Sequence, residues 1–313
     1  MRLTLEQLRV FVAVAREEHV TRGAKSLNLA QSAASSAIAH LEAHFSTQLF
    51  DRVGRRVVLT EAGRLLLAEA TAVLARTESA EQAMMELSGL RRGALHVQAS
   101  QTIAGYWLPR HLLAFRRAYP DIDIRLSIAN TAQVALAVRE GIADLGFVEG
   151  DIEDEKIVAE PVAKDSMVLV VGHGHPWAPR KQVVAADLAS SEWVLREKGS
   201  GTRSVFEAAM RKAGLSPESL RVTMELPSND AVRAAVEAGM GATVISASVV
   251  ASAIEAGLLH RVKLDLPERA FYALRHRERA HGRAAEALLS LIAGRRARTK
   301  RRSAPSAGSS PKS

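Results

Sequence analysis

The chain of 313 residues contains no cysteine and only 4% aromatic residues. Without cysteine there can be no disulfide framework, no thiolate zinc or iron–sulfur site and no cysteine nucleophile. The sequence also lacks a run of 18 or more apolar residues, so a membrane-spanning helix is not expected. Residues 1–20 intersperse charged with apolar side chains, which is not the pattern of a signal peptide. These features predict a cytoplasmic protein, and the length predicts two or three domains.

Acidic residues are missing from one segment, and this absence accounts for most of the net charge of +8. Residues 295–313 hold seven Lys/Arg and no Asp/Glu, whereas residues 1–294 carry a net charge of only +1. A segment rich in Arg, Ser, Pro and Gly cannot bury enough apolar surface to fold. We therefore predict a basic disordered tail at 295–313, which is either simply solvated or makes auxiliary contacts with phosphate groups.

Helical periodicity dominates residues 4–60. Apolar residues recur at helical spacing in three successive segments, and only residues 28–30 separate the second segment from the third. Two helices joined by so short a turn cross steeply, as in a helix-turn-helix. Residues 51–60 then contain a glycine between two short extended pieces, which predicts a β-hairpin bearing three arginines. A hairpin beside a helix-turn-helix is a wing, so an all-α winged helix-turn-helix domain is predicted at 1–60.

A long helix is predicted next, from residue 61 to about residue 87. Thr60 is a suitable N-cap, and Glu61 suits the positive end of the helix dipole. A helix of about 27 residues spans about 40 Å and must bury its apolar stripe against a partner. We expect self-association through this linker helix, with packing against its own chain as the alternative. The linker and its hinge together occupy residues 61–92.

From residue 94 onward, strands and helices alternate, which indicates parallel sheets with crossover helices. The predicted strands are 94–99, 122–129, 143–148, 167–172, 193–195, 221–226, 242–246 and 270–274, and the predicted helices are 103–119, 131–140, 202–213, 229–238 and 284–291. Residues 93–294 are too many for one such unit. We expect an α/β domain of two Rossmann-like subdomains separated by a cleft, as in periplasmic binding proteins. Subdomain I comprises about 93–162 and 268–294, and subdomain II about 163–267.

Two polar segments stand where strands or loops run into predicted helices. Residues 100–102 (Ser-Gln-Thr) follow one strand, and residues 199–203 (Gly-Ser-Gly-Thr-Arg) precede another helix. Helix N-termini present unpaired N–H groups, and hydroxyl groups add neutral donors. Ligands gather at the carboxyl ends of strands in open parallel sheets, so these segments could clamp a small anion. Ordinary N-capping is the alternative, and Arg203 could equally pair with Glu207 one helical turn later.

The N-terminal residues resemble the LysR-type transcriptional regulators. The resemblance runs through 5–15, 21–27 and 30–42, then through Leu49-Phe50-Asp51-Arg52 to Leu59-Thr60-Glu61-Ala62-Gly63. The α/β remainder is similar to the effector domain of that family. The resemblance implies a sequence-specific, double-stranded-DNA-binding transcription regulator that is not an enzyme and has no cofactor, metal or catalytic residues. It further implies a small effector, a homodimer and homotetramer, RNA polymerase as an additional candidate partner, and no membrane contact.

The resemblance places a recognition helix at residues 31–43, with its N-terminal end in the major groove. It implies DNA contacts from Gln31, Ser32, Ala33, Ser35 and Ser36. Family members often carry a proline where Ser32 stands and an arginine where Ser36 stands. Without that arginine, we expect base readout by the glutamine, the serine hydroxyls and the alanine methyl. Phosphate or minor-groove contacts are expected from Arg22, Arg52, Arg55 and Arg56.

The resemblance also places an inducer pocket in the cleft, with Ser100, Gln101, Thr102, Asn130, Thr131, Gly199, Ser200, Gly201, Thr202 and Arg203 as effector-binding candidates. Residues 144–150 and 195–203 look most like the branch that includes regulators of carbon fixation and of sulfite or sulfur assimilation. An anionic effector is therefore implied, either sulfite, sulfate or a phosphorylated metabolite.

Two other patterns do not indicate chemistry. His173-Gly174-His175 has a spacing that could hold a metal, but it lacks a nearby carboxylate cluster. The glycines at 239 and 241 follow a predicted helix and precede a strand, which is the wrong order for a dinucleotide fingerprint. A solute-binding protein and a small-molecule enzyme that use the same cleft remain the alternatives to a regulator.

Overall fold

The structure is a computed structural model and describes residues 3–54, 56–87, 93–150, 152–279 and 282–303. The chain forms two compact units, Met1–Ser88 and Gly89–Ser313. No helix in the described ranges is both long enough and apolar enough to cross a membrane.

The N-terminal unit is a winged helix-turn-helix followed by a long helix, as the sequence predicts. Its helices are α1 (Leu5–Glu17), α2 (Val20–Ser26), α3 (Gln31–Phe45) and α4 (Glu61–Leu87), and its strands are β1 (Phe50–Val53) and β2 (Arg56–Leu59). The two strands pair antiparallel, with Phe50 opposite Leu59.

Local sequence explains where these helices begin and why they pack closely. Thr4 and Gln7 form a reciprocal capping box at the start of α1. Phe11 on α1 is completely buried and packs against Phe50, with the ring centroids 5.3 Å apart. A Cβ on Gly23 would lie 2.7 Å from the Cα of Val14, so only glycine allows α2 to approach α1 this closely.

The start of α4 is tied to the segment before the wing. The Thr60 hydroxyl accepts a hydrogen bond from the Gly63 amide at 3.0 Å and donates one to the Gln48 carbonyl oxygen at 2.8 Å. The Thr60 amide donates to the Leu49 carbonyl oxygen at 3.1 Å. The predicted N-cap is therefore confirmed, and its hydroxyl also anchors the helix to the DNA-binding domain.

The C-terminal unit contains two five-stranded sheets, one in each subdomain. In the first sheet the order is β4-β3-β5-β12-β6, and in the second it is β11-β7-β10-β8-β9. The strands are β3 (Gly93–Ala99), β4 (Ile122–Ile128), β5 (Leu145–Glu149), β6 (Ile157–Asp165), β7 (Met167–Gly172), β8 (Glu192–Arg196), β9 (Arg221–Leu226), β10 (Ala242–Ser246), β11 (Leu259–Val262) and β12 (Arg269–His276).

Helices cover these sheets and connect the parallel strands. They are α5 (Gln101–Tyr106), α6 (Pro109–Ala118), α7 (Thr131–Glu140), α8 (Gly201–Lys212), α9 (Asn229–Glu237), α10 (Ala247–Glu255) and α11 (Arg283–Ser303), with short 3-10 helices at Ala185–Ser190 and Pro217–Ser219. β3 is parallel to both neighbours, β4 and β5, and β8 is parallel to both β9 and β10. β12 and β7 run antiparallel to their neighbours, so both sheets are mixed.

The chain crosses between the subdomains twice. It leaves the first sheet after β6 and returns to it at β12, and these two strands are neighbours with Arg269 opposite Asp165. The first subdomain packs around Phe115, Phe147 and Phe271, whereas the second has Trp193 at the centre of its core.

Three predicted boundaries need correction. Subdomain I extends beyond residue 162, because β6 pairs with β12 as far as Asp165. Residues 103–119 form two helices, and Pro109 stands in the first turn of the second, where its missing N–H costs nothing. Residues 295–303 of the predicted disordered tail are helical, because α11 continues to Ser303 through a segment rich in Arg, which favours helix. Residues 304–313 lie outside the described residues.

Candidate functional site

The N-terminal turns of α3 form an exposed polar surface. Gln31, Ser32, Ala33 and Ser36 are exposed and Ser35 is half-buried, whereas Ala34, Ile38 and Leu41 are buried in the domain core. The N-cap residue Ala30 makes no side-chain capping hydrogen bond. The five predicted DNA contacts therefore lie together on the outward side of α3, opposite the face that packs on the domain.

The wing carries one exposed arginine on each strand. Arg52 on β1 and Arg56 on β2 are both exposed, and their register partners are Val57 and Val53 respectively. Neither guanidinium has a hydrogen bond or an ion pair with any described residue. Arg55 lies outside the described residues. Two unpaired cations on a two-stranded wing suit contact with phosphate groups.

Arg22 is already paired within its own domain. Its guanidinium donates a hydrogen bond to the Glu17 carbonyl oxygen at 2.6 Å and lies 3.2 Å from the Glu17 carboxylate. Both side chains are largely exposed, so this ion pair is weak and a phosphate group could replace it.

In the C-terminal unit, Ser100 and Thr102 lie where β3 runs into α5, and both are buried. The Ser100 amide donates a hydrogen bond to the Phe147 carbonyl oxygen at 2.9 Å. The Ser100 hydroxyl has no hydrogen-bond partner among the described residues although it is buried. An unpartnered buried hydroxyl is costly, which is the state expected of a group awaiting a ligand.

Gln101, a predicted effector ligand, instead connects the two subdomains. Its Nε2 donates a hydrogen bond to the Pro227 carbonyl oxygen at 2.9 Å, and its Oε1 accepts one from the Asn229 amide at 2.8 Å. Both ends of the side-chain amide are therefore engaged with the start of α9. The structure assigns this residue a role in holding the subdomains together.

Asn130 and Thr131 also serve the fold. The Asn130 carboxamide oxygen caps α7 by accepting from the Gln133 amide at 3.0 Å. The buried Thr131 hydroxyl donates to the Glu149 carbonyl oxygen at 3.3 Å. Capping accounts for the first residue, and the link between α7 and the end of β5 accounts for the second.

Residues 199–201 contact the other subdomain through their backbone. The Gly199 carbonyl oxygen accepts a hydrogen bond from the Ala132 amide at 3.2 Å, and the φ angle of Gly199 is +88°. A Cβ on Gly201 would lie 2.4 Å from the Glu149 carbonyl oxygen and 2.5 Å from the Thr131 hydroxyl oxygen. Both glycines are therefore required at this point of close approach.

The other residues of this segment differ in their contacts. Ser200 and Thr202 are buried, and Ser200 makes no side-chain capping hydrogen bond. Arg203 pairs with Glu207, with Nε 2.7 Å from the carboxylate, and also with Glu225. Burial lowers the pKa of Arg203, but the hydrogen bonds that it donates to Glu207 and Glu225, together with their negative charges, outweigh burial and raise the pKa overall. Of the two expectations for Arg203, the structure supports the pairing with Glu207.

A cavity of about 370 Å³ lies beside α8. Its walls include Ser200 and Arg203, together with Leu220 and Val222, and all of its lining residues belong to subdomain II. This cavity therefore lies within subdomain II, beside the start of α8, and not between the subdomains.

Two buried arginines and their partners were not predicted as site residues. Arg269 pairs with Asp165, and Arg196 forms a two-pronged ion pair with Glu197. Arg196 stands at the end of a predicted strand, but Arg269 follows a stretch without periodicity. Nothing in the local sequence distinguishes these side chains from exposed charges.

The two histidines of His173-Gly174-His175 have different partners. The His173 ring contacts His260, with Nδ1 3.1 Å from Nε2. His175 contacts the Ser191 hydroxyl at 2.9 Å and accepts from the Trp177 amide at 3.1 Å, and burial lowers its pKa. The pair therefore does not form a chelating unit.

The two units match two families of known sequence. Residues 5–64 match the family described as "Bacterial regulatory helix-turn-helix protein, lysR family", and residues 88–297 match that described as "LysR substrate binding domain". The chain belongs to the LysR family of transcriptional regulators. As a LysR regulator, it has a DNA-binding domain and an effector-binding domain, and its family consists of regulators and not of enzymes.

Relatives and solved structures agree with this membership. A protein of Escherichia coli K12 named "Uncharacterized HTH-type transcriptional regulator YeiE" is 36% identical over 281 residues, which cover 89% of this chain and 93% of the relative. A "Probable RuBisCO transcriptional regulator" of Cyanophora paradoxa is 34% identical, covering 84% of this chain and 82% of the relative. The predicted family is confirmed, and so is the likeness to regulators of carbon fixation.

Two solved structures share the LysR architecture. The regulator CbnR has a TM-score of 0.68 at 20% identity, covering 93% of this chain and 99% of its own, which shows the common fold. The regulatory domain of CcmR from Synechocystis PCC6803, solved in complex with 2-PG, has a TM-score of 0.59 at 26% identity, covering 65% of this chain and 97% of its own.

Proposed function

We propose that this LysR regulator binds a small anion in the cleft between its effector subdomains. The observation that carries the proposal is the buried Ser100 hydroxyl, which has no partner among the described residues. Thr102, Ser200 and Thr202 add three more buried hydroxyls at the starts of α5 and α8. Such a site offers neutral donors, which suit the oxygens of a small oxyanion.

Sulfite, sulfate and a phosphorylated metabolite are the proposed effector classes. The CcmR regulatory domain, solved with 2-PG, supports the phosphorylated class. Arg203 contributes little to this recognition because its guanidinium is occupied by two carboxylates.

Anion binding is proposed to alter how the protomers are arranged, and so the spacing or bend that they impose on DNA. The linker helix α4 carries exposed apolar side chains, with Leu65 68%, Val73 43% and Met84 66% exposed. An exposed apolar stripe on a long helix favours a homodimer, and a homotetramer follows if dimers pair. This assembly would act where the DNA is, in the cytoplasm, with RNA polymerase as a further candidate partner.

DNA contact is assigned to two surfaces of the N-terminal unit. The residues on α3 are proposed to read bases, and Arg22, Arg52, Arg55 and Arg56 are proposed to contact phosphates. In footprinting of the promoter next to the gene, Gln31→Ala should weaken binding mainly to the operator. Equal weakening on unrelated DNA would contradict base readout by this residue.

The effector proposal is tested by calorimetry with sulfite, sulfate, phosphate and 2-PG, together with footprinting at each anion concentration. At least one anion should bind and change the footprint, and Ser100→Ala should lower the affinity for that anion about tenfold. The conservative Ser100→Thr keeps the hydroxyl and tests whether the donor matters. Absence of heat and of any footprint change for all four anions would refute the anionic effector.

A further inference from the structure

A buried ion pair joins the two points where the chain crosses between the effector subdomains. Arg269 is the first residue of β12 and Asp165 is the last of β6. The Arg269 Nε donates to the Asp165 carboxylate at 2.7 Å, and a second guanidinium nitrogen lies 2.6 Å from the same oxygen. The other Asp165 oxygen accepts from the Ser246 hydroxyl at 2.9 Å, so this carboxylate is well satisfied.

The same guanidinium reaches across the cleft to Thr202. Its third nitrogen, NH1, donates a hydrogen bond to the Thr202 hydroxyl oxygen at 3.2 Å, and both residues are buried. A threonine oxygen that accepts from an arginine still has its own hydrogen to donate. The Thr202 hydroxyl donates no hydrogen bond to any of the described residues.

A second arrangement runs across the cleft in the opposite direction. Arg196 on β8 donates to the Asn229 carboxamide oxygen at 2.5 Å, and the Asn229 Nδ2 donates to the Thr102 hydroxyl oxygen at 3.1 Å. Asn229 is 3% exposed and Thr102 is 2% exposed. The Thr102 hydroxyl therefore also accepts from subdomain II, and its hydrogen likewise has no acceptor in the described part of the chain.

We propose that Arg269 and Arg196 are positioning residues for the effector anion. Arg269 occupies the Thr202 hydroxyl oxygen directly, whereas Arg196 holds Asn229, whose Nδ2 occupies the Thr102 hydroxyl oxygen. In both cases the hydroxyl hydrogen is left to turn towards the cleft. Neither arginine touches the ligand. This inference rests on the proposed anion binding, and it adds the reason why neutral hydroxyls recognise an anion.

The arrangement also determines which ligands are accepted. An unprotonated sulfite, sulfate or phosphate oxygen only accepts hydrogen bonds and fits two donors whose orientation is set in advance. A ligand that must itself donate would leave both hydroxyl hydrogens without an acceptor, and an unmade buried hydrogen bond is costly. The Thr102 and Thr202 hydroxyls are each oriented by a residue of the opposite subdomain. Both donors are therefore correctly oriented only when the two subdomains are in contact.

The experiment measures anion affinity in the full-length protein by calorimetry, with sulfite, phosphate and 2-PG as separate probes. Thr202→Val should lower the affinity for the anion about tenfold, and Thr202→Ser should keep the affinity within about twofold of the wild type. Arg269→Lys keeps the charge but loses the planar fork, and should weaken binding about fivefold or more. Arg275→Lys, on the same strand, is the matched control and should leave affinity unchanged.

The double variant Thr202→Val with Arg269→Lys separates positioning from direct contact. If the arginine acts only through Thr202, the double variant binds no more weakly than the weaker-binding single variant. Additive losses would overturn the proposal, because they would mean that Arg269 meets the anion itself. Unchanged affinity in Arg269→Lys would overturn it as well.

Amide hydrogen exchange, measured without anion, provides a readout that does not depend on the effector. Arg269→Lys should raise exchange in the first turn of α8, residues 201–204, more than Arg275→Lys does. Equal exchange in the two variants would show that Arg269 does not hold Thr202, whatever the anion result. If no probe binds the wild type but exchange rises as expected, the anionic effector fails while the Arg269–Thr202 contact stands.

Discussion

Gly201→Ala is a severe test of how closely the two effector subdomains approach. Its added Cβ would lie 2.4 Å from the Glu149 carbonyl oxygen and 2.5 Å from the Thr131 hydroxyl oxygen. Ordinary contact begins at 3.4 Å, so the start of α8 and the end of β5 must separate by about 1 Å. Neither neighbour is the flexible end of a long side chain, and the contact therefore cannot be relieved locally.

The expected cost is about 1–3 kcal/mol, as for other overpacked sites. For a unit of this size, that lowers the melting temperature by about 2–12 °C. Helix propensity alone predicts the opposite sign, because alanine is favoured over glycine in a helix by about 1 kcal/mol. The sign of the change therefore separates the steric argument from the propensity argument.

Differential scanning calorimetry of the full-length protein measures this change, with anion titration beside it. Gly105→Ala is the matched control, because a Cβ at Gly105 would meet nothing within 4 Å. The control should melt at or slightly above the wild-type temperature. A Gly201→Ala protein that melts within about 1 °C of the wild type and binds anion equally well would refute the close approach.

Three further predictions concern other parts of the chain. Gly63→Ala should destabilise the N-terminal unit by about 1–3 kcal/mol, since the added Cβ would lie 2.1 Å from the Leu49 carbonyl oxygen. An unchanged midpoint of urea unfolding would contradict this prediction. Burial lowers the pKa of His175 in the folded state, so the stability that the neutral imidazole contributes is lost as pH falls below the unfolded-state pKa of about 6.5. His175→Gln should therefore flatten the acid side of the pH–stability curve. An unchanged curve would count against this assignment. Arg56→Ala should weaken binding to operator and random duplex alike and reduce the slope of log K against log salt by about 0.9, whereas a loss confined to the operator would argue for base contact.

The N-terminal unit was predicted almost completely because its structure depends on local signals. Thr60 caps α4 as expected, and the glycine between β1 and β2 marks the hairpin turn. Helix periodicity and capping act over a few residues, so the sequence pattern contains them.

The missed elements of the effector unit have identifiable reasons. β6 contains Pro161, which weakens a strand pattern, and it is tolerated because β6 is the edge strand of its sheet. β11 has only four residues, too few for a period to show. The break between α5 and α6 depends on Pro109, which can begin a helix as well as end one.

The sequence pointed to candidate residues for the site, but it did not reveal their contacts. Gln101 meets residues 126 and 128 positions away, and no local pattern can indicate such partners. Arg203 was expected either to bind an effector or to pair with Glu207, and only coordinates distinguish these. The buried Arg269 depends on a strand pairing between residues about a hundred positions apart, which periodicity does not reveal.

The adjacency of the two chain crossings limits how the effector domain can move. Because β6 and β12 are hydrogen-bonded neighbours where they leave the first sheet, both covalent connections lie side by side. Two attachment points close together define one axis, so subdomain II can swing about that axis but cannot slide or separate freely. A ligand that shifted the swing by a few degrees at this axis would move the far edges of the sheets by a larger distance. Under the proposed function, this would give a small anion mechanical leverage over the surfaces through which protomers are proposed to associate.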